Sequence, residues 1–183
     1  MDKIKKTSRI ISALCVIAIV LMPIAQAVGW LFFDAINASY IIRGFNPAHI
    51  PLDKLPVTSP LPPSLLVIGF LVSMIPTLII MMSVYFLHKL FHLYANGQIF
   101  TKANANYIKK IGYTILIGQL FGPFYEAAMS VILTIHNPVG QRILTISFSG
   151  MTVGFIIIAV MIITISWIMD QARQLQENEA LTI

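Results

Sequence analysis

The sequence predicts an all-α membrane protein with four transmembrane helices, and three observations carry that prediction. The first is composition: of 183 residues, 57% are apolar and 10% are charged, against roughly a quarter charged in an ordinary soluble domain. The second is the spacing of the charges. No ionised side chain lies between Arg9 and Asp34, between Lys54 and Lys89, or between Arg142 and Asp170. The stretch from Lys110 to Arg142 is interrupted only by Glu126 and His136. A helix crosses the hydrocarbon in about 20 residues, and each of these gaps is long enough. The third is the absence of the period-2 alternation that a membrane barrel strand would need.

The gaps place spans at 10–32, 65–87, 111–135 and 147–169 in a single membrane domain covering 1–183. Between them lie an outer loop, 33–64, a cytoplasmic hairpin tip, 88–110, and a cytoplasmic tail, 170–183. Lysine and arginine are retained on the cytoplasmic side, so their distribution sets the orientation. Lys3, Lys5, Lys6, Arg9, Lys89, Lys102, Lys109, Lys110 and Arg173 share one side; Arg43, Lys54 and Arg142 fall on the other. Both termini are therefore expected in the cytoplasm. The same bias accounts for the net charge of +5 and makes the lipid bilayer, rather than nucleic acid, the direct partner.

The first span starts like a secretory signal, with a basic beginning, an apolar run and Ala25-Gln26-Ala27. The apolar run continues through Val28, Gly29, Trp30, Leu31 and Phe32, which gives it full spanning length. An uncleaved helix is expected, with Trp30 at the far interface. Cys15 is the single cysteine. It excludes an intramolecular disulfide and any oxidoreductase working through a cysteine pair, and reads as a small apolar packing residue.

The outer loop contains Pro47, Pro51, Pro56, Pro60, Pro62 and Pro63, which forbid a long helix. It reads as a plain connector, with Tyr40, Ile41, Ile42 and Phe45 available to cover the outer mouth of the helices.

The stretch 93–112, LYANGQIFTKANANYIKKIG, is different in kind. It sets four amide side chains and three lysines between two apolar runs. Helical character continues past 87 through HKLFHLY. Asn96 and Gly97 tolerate the left-handed backbone that commonly ends a helix. Thr101 is placed to cap the next helix, which opens at Lys102 and leads into the third span. Spans two and three are thus predicted to form a long helical hairpin. At ~1.5 Å per residue its tip stands about one to two turns clear of the membrane. Phe100 is expected to pin the tip by packing between the helices.

The run GQIFTKANANYIKKIG, with Gly97, Phe100, Thr101, Asn104, Ile108 and Gly112, resembles the central motif of the bacterial family called domain of unknown function 2975. The ending LQENEALTI resembles that family's short acidic terminus, with Ala180 interposed between Glu179 and Leu181. The resemblance implies four spans in a bacterial cytoplasmic (inner) membrane. It also implies a neighbouring helix-turn-helix regulator as a candidate cytoplasmic partner. No chemistry comes with it.

Within the membrane, Glu126 is the residue most open to a functional reading. A carboxylate there costs at least a few kcal/mol, so it should face protein or a wet cavity. It could serve as a proton relay or cation site with Gln119 and Tyr125. It could equally make a structural contact to Tyr125, Ser149 or Thr152. Gly118 with Gly122, and Gly150 with Gly154, are small-xxx-small pairs that let backbones approach. Packing of spans three and four against each other is the expected use, and a homo-oligomer the other. Pro76 and Pro123 are expected to kink their spans and free backbone carbonyls. His88 and His92 share a helix face, but no third ligand accompanies them, so no metal and no cofactor are expected. No nucleophile–base set, P-loop or dinucleotide motif is present, and the chain is not expected to be an enzyme.

Two functions fit this reading. One is a non-catalytic interaction or regulatory partner with a docking turn at Asn96, Gly97, Phe100, Thr101 and Lys102. The other is a small proton- or ion-coupled transporter or channel subunit centred on Glu126.

Overall fold

The computed structural model describes residues 2–38, 46–50, 52, 55–57, 60–147 and 150–180. They form helices α1 (Asp2–Leu31), α2 (Phe33–Ala38), α3 (Pro63–Ala95), α4 (Lys102–Thr134) and α5 (Gly150–Ala180), with no strand among the described residues. α1, α3, α4 and α5 are long and apolar enough to cross a membrane. Each long helix extends beyond its predicted span at the end that adjoins the N-terminal tail, the 88–110 segment or the C-terminal tail, because helical backbone continues into those polar flanks. α3 continues through HKLFHLY to Ala95, and α4 opens at Lys102. The fourth long helix starts later than the charge gap does. Ser147 lies outside α5, and its backbone N–H is given to Glu126 instead. Helical backbone also runs without a break through Pro23, Pro76 and Pro123.

Burial along these helices departs from that of a water-soluble protein, with many large apolar side chains outside and hydroxyls among the buried residues. Leu14, Ile17, Val20 and Leu21 on α1, and Ile157, Val160, Met161 and Ile168 on α5, are exposed. Buried positions include Ser8, Ser12, Ser73, Thr77, Thr114, Ser130, Thr134 and Ser166. Large aliphatic side chains lose nothing by facing lipid tails, whereas small residues let helices approach. Six of these hydroxyls, all but Ser8 and Ser12, bond back to their own helices. Thr77 donates to the Ser73 carbonyl at 2.9 Å, Thr114 to Lys110 at 2.7 Å and Ser166 to Ile163 at 2.6 Å. Such bonds satisfy the hydroxyl donor within the helix.

The chain divides into two compact units, one of Met1–Val20, Ile79–Gln119 and Ser149–Ile183, the other of Leu21–Leu78 and Leu120–Phe148. In the first unit, the Ser12 hydroxyl lies 2.9 Å from His88 Nδ1 and ties α1 to α3. The Phe86 and Tyr107 rings meet at 6.4 Å between α3 and α4, with the Lys110 ammonium 5.4 Å from the Phe86 centroid. α4 meets α5 at Gly112, where an added Cβ would stand 2.6 Å from Ile163 and 3.1 Å from the Ala159 carbonyl.

In the second unit, Trp30 is buried at 3% exposure and stacks on Phe33 with centroids 5.0 Å apart. Trp30 thus packs against protein near the end of α1. Its ring crosses Gly69, where a Cβ would come within 2.2 Å, so α1 and α3 approach at a glycine that stands four residues before Ser73, a small-xxx-small pair outside the two glycine pairs singled out from the sequence. Ser73 completes this contact. It accepts from Trp30 Nε1 at 2.8 Å and from Gln26 Nε2 at 2.6 Å, and donates to the Phe70 carbonyl at 2.8 Å.

The outer loop is more than a connector. Ala48, Ile50, Leu52, Leu55 and Leu61 are buried with Trp30, Phe33, Leu65, Tyr125, Met129 and Leu133 in one apolar cluster. Asn46 folds the segment by accepting from the Ala48 N–H at 2.9 Å and donating to the Ile50 carbonyl, an Asx-type turn. The Pro47 carbonyl accepts from Gln26 at 2.6 Å, and the Pro56 carbonyl accepts from Asn137 at 2.6 Å. Among the described residues before Pro63, α-helix in this segment is confined to the six residues of α2, yet the segment contributes much of the unit's core. Tyr40, Ile41, Ile42 and Phe45 lie outside the described residues.

Candidate functional site

The turn between α3 and α4 is built from local rules. Gly97 has φ +81°, a left-handed conformation that side chains with a Cβ rarely adopt. The Gln98 N–H reaches the Leu93 carbonyl at 3.0 Å and the Gly97 N–H reaches Tyr94 at 3.0 Å. This pair of bonds is the Schellman closure of a helix C-terminus, with Asn96 as its last residue. Three residues on, the Thr101 hydroxyl accepts from the Asn104 N–H at 3.4 Å, a long N-cap bond that opens α4. The expected cap residues, Asn96, Gly97, Thr101 and Lys102, therefore stand where the sequence predicts them.

Phe100 does not pin the turn. Its ring is 74% exposed, and Asn104 takes the pinning role. Asn104 is fully buried, and its Nδ2 donates to the Gln98 carbonyl at 2.6 Å, crossing from the first turn of α4 to the end of α3. Asn104 Oδ1 is a buried acceptor with no partner among the described residues. From α1, the Lys5 stem reaches the turn, with Cε 3.2 Å from where a Gly97 Cβ would stand. An amide three residues after a Thr cap is the signal that could have identified Asn104. The outward turn of Phe100 has no local signal, since it depends on what already fills the space between α3 and α4.

Glu126 and Tyr125 have separate partners. Glu126 is 8% exposed and its carboxylate accepts from Ser147 twice over, from the backbone N–H at 3.0 Å and from the hydroxyl at 2.6 and 2.7 Å. Tyr125 is buried and donates instead to the Ala48 carbonyl at 2.7 Å. Gln119 is half-buried in the other unit. Tyr125 is therefore not the partner of Glu126, and Ser149 lies outside the described residues. Ser147 carries no signal in sequence, because the chain must first fold back from α4 for it to meet Glu126.

The small-xxx-small glycines are also redistributed. A Cβ at Gly118 would sit 3.2 Å from Ile79, while Gly122 and Gly154 have nothing within 4 Å. The close approaches fall at Gly69 and Gly112. Gly150 opens α5. Among the described residues, no group of three or more His, Cys, Asp or Glu comes together as a metal site would need.

Four helices long and apolar enough to cross a membrane, with many large apolar side chains turned outward, mark a multi-pass helical membrane protein. A family model matches residues 52–183, well over half of the chain, and the chain belongs to that family, described as Protein of unknown function (DUF2975). The matched region includes α3, the capped turn, α4 and α5. No curated protein and no solved structure matches the chain.

Proposed function

We propose that this is a non-catalytic interaction protein of the bacterial cytoplasmic membrane, with both termini inside, whose 93–104 turn docks a cytoplasmic protein. A helix-turn-helix regulator is the kind of partner that the family resemblance implies. The observation that carries this reading is Phe100, an aromatic ring held out from a turn whose backbone is hydrogen-bonded on both flanks. Exposing a large apolar ring has a solvation cost, and interface anchors are commonly aromatics presented by a pre-ordered backbone. Lys102 and Lys5 lie beside the ring's turn, so the complementary surface is an apolar pocket with an acidic rim.

The intramembrane carboxylate supports the same reading from the other side. With both oxygens engaged by Ser147, Glu126 acts as a clamp on the chain entering α5. A small proton- or ion-coupled transporter or channel subunit centred on Glu126 is the alternative, and burial of that carboxylate is what favours it. A pull-down of the intact chain from detergent, run beside Phe100→Ala, tests the docking reading. The variant should insert and melt like the parent while partner recovery falls about tenfold or more, the range of an interface anchor. Equal recovery would remove Phe100 as the anchor.

A further inference from the structure

We infer that the groove between the start of α4 and the middle of α5 is a binding site for the phosphate headgroup of an anionic phospholipid. The groove has a volume of about 500 Å³ and is lined by Lys102, Asn106 and Lys109 from α4 and by Ser166, Trp167 and Asp170 from α5. All of these residues belong to one compact unit.

Its charge is unbalanced towards the cationic. Asp170 is occupied on its own helix, its Oδ1 accepting from Arg173 at 3.0 and 3.2 Å and its Oδ2 from Gln174 at 3.2 Å. Arg173 also pairs with Glu177 at 2.6 Å. Neither Lys102 nor Lys109 has a carboxylate partner among the described residues. Lys109 rests its ammonium 5.9 Å from the Tyr113 ring centroid, which leaves its N–H donors free for an anion. Lys102, Asn106 and Lys109 recur at a spacing that puts them on one face of α4. The first N–H groups of α4 open at the same end and add positive potential to the two ammoniums.

The groove's surroundings choose between a free anion and a lipid. Trp167 is 53% exposed, and its indole is the side chain that favours the headgroup level of a bilayer. On α4, Tyr113 and Ile117 follow Lys109 at four-residue spacing on the same face and are exposed, so apolar surface runs away from the groove where acyl chains would lie. A phosphodiester with two acyl chains meets both parts at once, ammoniums at the head and aliphatic side chains along the tails. Free phosphate meets only the first. This assignment rests on the membrane-spanning reading and not on the docking turn.

The test uses the full chain in detergent micelles, with bound lipid counted by native mass spectrometry. Phosphatidylglycerol is titrated against phosphatidylcholine, with inorganic phosphate as competitor. Lys102→Gln with Lys109→Gln should lower phosphatidylglycerol affinity by about tenfold or more, and added salt should mimic the loss. Lys102→Arg with Lys109→Arg should keep most of it. Lys89→Gln with Lys110→Gln, which removes the same charge elsewhere, should bind like the parent, with melting curves checking that each variant is folded. Equal loss in the two glutamine pairs would reduce the effect to diffuse attraction and overturn the site. Unchanged binding in Lys102→Gln with Lys109→Gln would overturn it as well. Displacement of the lipid by millimolar inorganic phosphate would make the ligand a free phosphate and overturn the lipid assignment.

Discussion

Asn104 and Gly69 each carry a contact on which an element depends. Asn104→Ala removes the bond to the Gln98 carbonyl, worth about 1 kcal/mol net. Hydrogen exchange should accelerate at the Gly97 and Gln98 amides while the span amides stay protected. Unchanged exchange at those two amides would mean that the Schellman closure holds the turn without the side chain. Gly69→Ala forces a methyl group into the Trp30 ring and should cost about 1–3 kcal/mol, read as a lowered melting temperature in detergent. Gly122→Ala and Gly154→Ala meet open space and should stay within about 0.5 kcal/mol of the parent. If all three glycines behave alike, the Trp30 approach does not order α1 against α3. Asn104 has a local signal, an amide three residues after a Thr cap, and Gly69 has one in its four-residue spacing from Ser73. The sequence pointed to glycines spaced four apart, but a glycine's importance depends on what crosses it, here an indole 39 positions earlier.

At the scale of elements, the helices were legible because their signal is local. An uncharged gap of sufficient length has few alternatives in a chain with this composition, and Gly97 and Thr101 cap α3 and α4 by bonds spanning five residues or fewer. The outer loop was not legible. Its prolines correctly excluded a long helix, but the burial of Ala48, Ile50 and Leu61 arises from non-local packing against α1, α3 and α4. The start of α5 was misread for the same reason. Ser147 is apolar enough in context to extend the helix, yet its N–H is taken by a side chain 21 residues earlier. That contact makes a prediction. Glu126→Gln should leave the melting temperature nearly unchanged, because the amide oxygen can still accept the Ser147 N–H. Glu126→Leu should cost about 1–3 kcal/mol, since it removes both hydrogen bonds that Ser147 makes to the carboxylate. Equal melting of the glutamine and leucine variants would show that the Ser147 clamp does not stabilise the entry to α5.

For the whole molecule, the asymmetric lysines and arginines predict the orientation. Reporter fusions at Asn46 and Val139 should report the extracytoplasmic side and one at Asn96 the cytoplasm. A periplasm-active reporter at Asn96 would invert the arrangement and leave the turn with no cytoplasmic partner to meet. The central claim, that the capped turn docks a protein while Glu126 serves the fold, is tested most directly by a paired co-purification. Gly97→Val strains a left-handed residue by roughly 1 kcal/mol or more and disturbs the turn far from the spans. Glu126→Gln leaves the turn untouched. Both should insert at parental levels, Gly97→Val should lose the co-purifying protein, and Glu126→Gln should keep it. Retention by Gly97→Val together with loss by Glu126→Gln would contradict the account and make the intramembrane carboxylate the functional centre.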